Sequence, residues 1–196
     1  MSKRWLSLRV LAVEDGVFTM GGRLLDRAFL IGVLMHNYTV EKVFIDTVEV
    51  DGLDATEKVL SFINKSKPLD LVLLHGVPYA GFNLVDADRI HILTGYPVIC
   101  VLDRKPDMAN VLKALKFKFM DWLERFNILK RQGEPIEVML DGNGKLVLSI
   151  HGLTLEDALK TLKAITFLGK TPEPLRVARL IAKGLPPPIL VEGASL

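Results

Sequence analysis

The periodicity of this 196-residue chain changes partway along, and that change is what most restricts its fold. Up to residue 50 it reads as strands. Residues 8–13 and 28–35 are apolar runs, 42–50 is rich in β-branched residues, and Gly21-Gly22 and His36-Asn37-Tyr38 supply turn chemistry between them. The short Val17-Phe18-Thr19 is expected in the same antiparallel meander. From Asp54 the spacing becomes helical: Ala55, Val59 and Ile63 fall at i, i+4 and i+8, with Asp54 at the N-cap. Residues 71–74 and 97–102 then read as apolar strands separated by a helix near 86–94, as in a parallel sheet. Residues 108–130 read as one helix striped by Val111, Leu115, Phe119, Trp122 and Phe126. Asp141-Gly142-Asn143-Gly144 turns a hairpin between 136–140 and 145–150. Thr154 with Asp157 opens a helix carrying Leu155, Leu159, Leu162 and Ile165, and a last helix covers about 173–183.

A meander followed by strand–helix alternation is the order of a ribonuclease-H-like α/β fold. Such a fold has a mixed sheet, antiparallel strands first and parallel strands after, flanked by helices. A single domain is expected over 1–184, with a short Pro-rich tail at 185–196. No run reaches the ~18 apolar residues of a membrane span. Arg9 interrupts any apolar leader after Met1-Ser2-Lys3-Arg4-Trp5, so a cytoplasmic protein with no membrane partner is expected. The lone Cys100 excludes an internal disulfide and a cysteine zinc site, and within 97–101 it reads as a buried strand thiol.

Asp15 closes the first apolar run, in Glu14-Asp15-Gly16. A buried unpaired carboxylate costs several kcal/mol, so its place at a strand end calls for a metal ion, an ion pair or an opening to water. The rest of the chain favours the metal. Residues 41–57 hold Glu41, Asp46, Glu49, Asp51, Asp54 and Glu57 against Lys42. Residues 104–131 hold eight bases against Asp107, Asp121 and Glu124. An acidic cluster beside a basic face suits a metal site next to a polyanion path, and ordinary solvated surfaces account for the same charges equally well. Asp51 and Asp54, three apart, point to one side of a turn; metal ligation competes there with a turn role for Asp51 and helix capping for Asp54. By strand alternation Glu14 faces away from Asp15 and reads as structural.

The segment His75-Gly76-Val77-Pro78-Tyr79-Ala80-Gly81-Phe82-Asn83 with its preceding strand, the stretch from His151 to Ala158, and Thr171-Pro172-Glu173-Pro174-Leu175-Arg176-Val177-Ala178-Arg179 resemble the archaeal endonuclease-V-related family known as endonuclease dU, across about residues 8–184. The resemblance implies a metal-dependent endonuclease that cuts DNA near deaminated bases in repair, deoxyuridine first and deoxyinosine second. It implies a divalent cofactor, Mg²⁺ or Mn²⁺, and DNA carrying deaminated bases as partner. Against endonuclease V itself, Asp15 falls on the first metal-binding aspartate, Asp51 near the acid before the first helix with Asp54 competing, and His151 on the histidine ahead of the penultimate helix, where it reads as a donor to the leaving oxygen or as a loop histidine. His75 departs from the pattern, replacing an aspartate. Imidazole is a poor magnesium ligand, so metal preference shifts, or one ion is held by Asp15 with Asp51 or Asp54, or His75 acts as base or phosphate donor; packing of His75 against the Gly81-Phe82 loop is the structural alternative.

The loop after the strand ending at His75 lies where ligands bind in such sheets. Tyr79 and Phe82 are candidates to stack on a base, Asn83 to read its edge, and Gly81 to admit it; packing is the alternative reading. Asp86 reads as the N-cap of the next helix. Lys113, Lys116 and Lys118 are candidate backbone contacts, as is Arg176 unless it pairs with Glu173 one turn away. A nucleic-acid-binding protein without catalysis and an RNA-directed endonuclease stand as alternatives, and oligomeric state is open.

Overall fold

The computed structural model describes residues 7–140 and 144–188. The N-terminal residues 1–6, the hairpin tip at 141–143 and the tail from 189 onward lie outside the described residues. Strand β1 (Arg9–Asp15) is followed by a small ribbon of β2 (Thr19–Met20) with β3 (Arg23–Leu24), then by β4 (Arg27–His36) and β5 (Thr39–Glu49). Helix α1 (Ala55–Ser66), β6 (Leu71–His75), a second ribbon of β7 (Pro78–Tyr79) with β8 (Asn83–Leu84), α2 (Ala87–Thr94) and β9 (Val98–Leu102) come next. The rest is α3 (Met108–Lys118), α4 (Trp122–Arg131), β10 (Ile136–Leu140), β11 (Gly144–His151), α5 (Leu155–Ala164) and α6 (Glu173–Gly184).

The main sheet runs β10-β11-β9-β6-β1-β4-β5. β1 is central, antiparallel to β4 and parallel to β6, so its residues 10–14 are buried on both faces and must be apolar unless paired. β5 is an edge strand and alternates accordingly: Phe44 and Val48 point in, while Val43 and Ile45 are exposed. One face of the sheet packs on α1 and α2 through Ala55, Val59, Phe62, Ile63, Ala87 and Ile90. The other packs on α5 and α6 through Ala158, Leu162, Leu175, Ala178 and Ala182. Cys100 is fully buried in β9, and burial pushes its thiol up to about 12, as fits an inert core residue.

Two sequence expectations change. Residues 17–19 lead into the separate β2–β3 ribbon rather than the sheet, because β4 and β6 already occupy both edges of β1. The helix expected over 108–130 is two helices. Phe119 takes an extended conformation (φ −128°, ψ 132°), its ring lying 4.1 Å from the Arg125 guanidinium carbon and 5.6 Å from the Phe82 ring. Neither glycine nor proline marks this break; the tertiary contacts made by Phe119 set it.

Parallel β1, β6 and β9 bring their C-terminal ends to one end of the sheet. The β1–β6 register pairs Val13 with Leu74, so the next rung sets Glu14 beside His75, and His75 in turn pairs with Val101. β11 runs the other way, and its His151 pairs with Val98 at the far end of β9. His151 is therefore three rungs, roughly 10 Å, from the level of His75.

A carboxylate–imidazole cluster at the strand ends

Glu14 is 6% exposed, and its two carboxylate oxygens lie 2.9 and 2.8 Å from His75 Nδ1. Only Oε1 is placed for a hydrogen bond; Oε2 is buried without one. On its other side the His75 ring sets Nε2 3.5 Å from Asp103 Oδ1, just beyond β9. The hydrogen bond and charge of Glu14 raise the His75 pKa above its ordinary value, against burial and the positive charge of Arg179 on α6. His75 thus lies between two acids, Glu14 and Asp103.

Asp15 points to the opposite face, as alternation requires, and its Oδ2 accepts a hydrogen bond from the Ala80 N–H at 2.6 Å. Burial raises its pKa to about 6; the Ala80 bond opposes this and the charge of Glu14 adds to it. The loop that reaches back to Asp15 is braced at every step. Ala80 accepts at its carbonyl from the Asp51 N–H (2.9 Å), and Asp51 Oδ1 accepts from the Phe82 N–H (2.8 Å). Asp51 and Ala80 are both non-glycine residues at positive φ, 59° and 41°, a strained pair that the surrounding bonds hold in place. Gly81 (φ +87°) lets the loop pass over Asp51: a β-carbon there would collide with the Asp51 carboxylate.

The sequence-predicted residues thus separate into groups. Asp15, His75 and Asp51 meet around the loop 76–83. Asp54 sits at the α1 N-cap, but its side chain accepts from Asn83 Nδ2 (2.6 Å) and the Glu49 N–H (3.2 Å), while Asn83 Oδ1 caps the helix from outside through the Ala55 N–H (3.0 Å). Asn83 is fully buried and its amide is committed to the fold. Tyr79 is also fully buried; its hydroxyl donates to the Val13 carbonyl and accepts from the His75 N–H, both at 3.0 Å, tying β1 to β6. Neither is placed to touch a base. Phe82, partly exposed, walls the groove described below. Asp86 accepts from the Arg89 N–H as the α2 N-cap and pairs with Arg131. Arg176 pairs with Glu173 at 2.6 Å, and Arg179, a turn further on, is the α6 base whose charge reaches His75. Lys113, Lys116 and Lys118 are exposed on α3. His151 lies away from this cluster, 3.2 Å from Ser149 Oγ and 3.5 Å from Asp88, and burial lowers its pKa.

Among the described residues no three His, Cys, Asp or Glu side chains converge as a cation cage. Asp15, Asp51 and Asp54 fail to do so because each is turned onto a different backbone or amide donor. Two single carboxylates at the end of β1 could each serve a cation: Glu14, whose Oε2 is buried without a hydrogen bond, and Asp15 on the opposite face. One or two carboxylates with substrate phosphate oxygens suffice for a hard divalent ion. A groove of about 720 Å³ leads from His75 past Asp103, Arg104 and Lys105 to Asn110, Val111 and Ala114 on α3. A second, apolar cavity of about 330 Å³ opens beside it and shares Pro78 and Phe82 as wall.

The raised Asp15 pKa sets a pH dependence. Below its ordinary value of 3.8 Asp15 is neutral folded or unfolded; between 3.8 and about 6 only the unfolded chain ionises, so stability falls as pH rises, by roughly 3 kcal/mol at most. Asp15→Asn, which keeps an acceptor for Ala80, is therefore expected to stabilise metal-free protein at pH 8 and to change little at pH 4. Denaturant melts at the two pH values check this, and equal effects at both would refute it.

The mixed sheet with β1 at its centre and helices on both faces is the ribonuclease-H-like arrangement expected from the sequence. The model of the family described as Endonuclease dU matches residues 7–186, and the chain belongs to that family. A UPF0215 protein of Thermococcus gammatolerans is 38% identical over 182 residues, 91% of this chain and 92% of its own. The crystal structure of a protein of unknown function from Archaeoglobus fulgidus is 31% identical with a TM-score of 0.77, covering 89% of this chain and 96% of the other. Endonuclease V of Ciona intestinalis, solved with a 24mer DNA containing an inosine followed by a ribo-adenosine, gives a TM-score of 0.57 at 14% identity, over 90% of this chain and 84% of the other. At that identity the likeness is one of fold.

Proposed function

We propose that the chain is a divalent-metal-dependent endonuclease that hydrolyses a phosphodiester of DNA beside a deaminated base, deoxyuridine before deoxyinosine. The observation that carries this is the Glu14–His75 pair, whose imidazole lines the head of a groove that also carries Arg104 and Lys105. The family description points to deoxyuridine, and the inosine-containing DNA held by the Ciona protein supports deaminated bases as a class. Either Glu14, through Oε2, or Asp15, on the opposite face of β1, would hold the ion together with substrate phosphate oxygens. The neighbouring imidazole inclines the site to Mn²⁺ over Mg²⁺. A bound ion supplies Lewis acidity to the phosphate and lowers the pKa of water.

The chain's own residues do the remainder. Arg104, Lys105 and Arg179 draw in the phosphate backbone. His75, hydrogen-bonded to Glu14, would give the proton that the departing 3′-oxygen takes up as the P–O bond breaks and a water oxygen joins phosphorus, the proton of that water passing to solvent. Asp51 supports the loop that holds Asp15. The test is cleavage of labelled strands carrying one uracil, one hypoxanthine or only normal bases, as DNA and as RNA, with Mg²⁺, Mn²⁺ or chelator. Metal-dependent nicking beside uracil in DNA, lost in Asp15→Ala, is the expected result. No cut with any metal, or an equal cut by Asp15→Ala, overturns the proposal, and cleavage confined to RNA overturns the substrate.

A further inference from the structure

The groove that starts at His75 is walled on α3 by Asn110, Val111 and Ala114. Residue 117 is three positions beyond Ala114 and seven beyond Asn110, so it continues the same helical face, roughly 10 Å along the axis from Asn110. That residue is Phe117, 91% exposed, and Met120 beside it at the α3–α4 junction is 102% exposed. A phenylalanine left in water forgoes the favourable free energy of burial. The junction beneath is rigidly built, with Phe119 held between the Arg125 guanidinium and the Phe82 ring. Around the tip stand exposed Lys113, Lys116 and Lys118. Lys116 lies 4.8 Å over Trp122, and Lys118 lies 5.8 Å over Phe82, the aromatic wall of the groove.

A firmly held apolar tip ringed by lysines, in line with the proposed cleavage groove, matches a polyanion whose interior offers flat apolar faces. Nucleic acid has that chemistry: its phosphates take the lysines and its base stack takes the wedge. We propose that Phe117 and Met120 form a wedge that enters the base stack of DNA lying along the groove and opens the duplex beside the scissile phosphate. This rests on the nucleic-acid reading of the groove, but not on catalysis.

The experiment uses the full chain in chelator, so that nothing is cut, with a short duplex carrying 2-aminopurine beside a uracil. Wild-type protein is expected to raise the 2-aminopurine fluorescence by unstacking it. Phe117→Ala with Met120→Ala abolishes the rise and weakens binding about tenfold, with the salt dependence unchanged. Phe117→Trp retains the rise, and Lys116→Ala with Lys118→Ala flattens the salt dependence. Because Phe117 and Met120 are fully exposed, the alanine variants keep the wild-type melting temperature. An undiminished rise in those variants overturns the wedge. So does a wild-type dimer in sedimentation that the alanine variants dissociate without any effect on DNA, since the tip is then a contact between copies. Unstacking without nicking in Mn²⁺ leaves the wedge standing and removes the catalytic reading. Absence of DNA binding by wild-type protein removes both.

Discussion

Arg125→Met is expected to lower the stability of the protein by about 3–5 kcal/mol, the largest single-residue effect away from the hydrophobic core. Arg125 is 5% exposed, and each part of its guanidinium is used. Nε and Nη2 pair with the Asp121 carboxylate at 2.9 Å, Nη1 donates to the carbonyls of Gly52 (3.0 Å) and Phe82 (2.7 Å), and the planar group lies 4.1 Å from the centre of the Phe119 ring. Methionine keeps the apolar stem and leaves two carbonyls without their donor, at about 1–3 kcal/mol each. Asp121→Asn, at the same ion pair but partly exposed, is expected to cost less than about 1 kcal/mol. Denaturant midpoints of the two variants decide the matter: a loss below 1 kcal/mol for Arg125→Met means that the guanidinium is not what joins α4 to the 80–83 loop. Because Gly52 and Phe82 flank Asp51 and the loop on Asp15, the same variant is expected to lose cleavage beyond its loss of folded protein.

Arg125 also shows where sequence reading stops. Within residues 104–131 it counts as one more base on a basic face, and nothing in its spacing marks it as buried. α1 is legible because Ala55, Val59 and Ile63 repeat at the helical period and all three are fully buried. The split between α3 and α4 is not, because Phe119 is turned aside by a ring and a guanidinium rather than by a breaker residue. The α1 N-terminus is half legible: Asp54 holds the N-cap position, yet the capping oxygen comes from Asn83, 29 residues later.

The site divides in the same way. A carboxylate ending an apolar strand announces Asp15. The partnership of Glu14 with His75 depends on the register of β1 against β6, and alternation alone assigns Glu14 to the face away from Asp15 without revealing what waits there. His151 is set apart by strand direction, since β11 runs antiparallel to β9 and carries it to the other end of the sheet. Spacing along a chain fixes which face a side chain takes. Which end of the sheet it reaches is decided by pairing between distant segments.

Glu14→Gln is expected to reduce cleavage on the order of 10³-fold, within the range for losing a positioned proton-transfer group, and to lower stability, because it takes the charge from a buried pair with His75. Glutamine fills the same volume and keeps an acceptor for His75 Nδ1. Two readouts separate its roles. The His75 pKa is raised chiefly by the hydrogen bond that its Nδ1 donates to Glu14, so the substitution lets it fall, and the basic limb of the pH–rate profile moves to lower pH. Direct Mn²⁺ binding, followed calorimetrically without substrate, weakens if Oε2 is a ligand and is unchanged if Glu14 only orients His75. Glu14→Asp keeps the charge but draws it back by one carbon, so it is expected to recover part of the Mn²⁺ affinity with little of the His75 shift. Wild-type cleavage by Glu14→Gln would reduce the Glu14–His75 pair to an ion pair joining two strand ends, and would leave the chemistry to Asp15, as the sequence alone suggests.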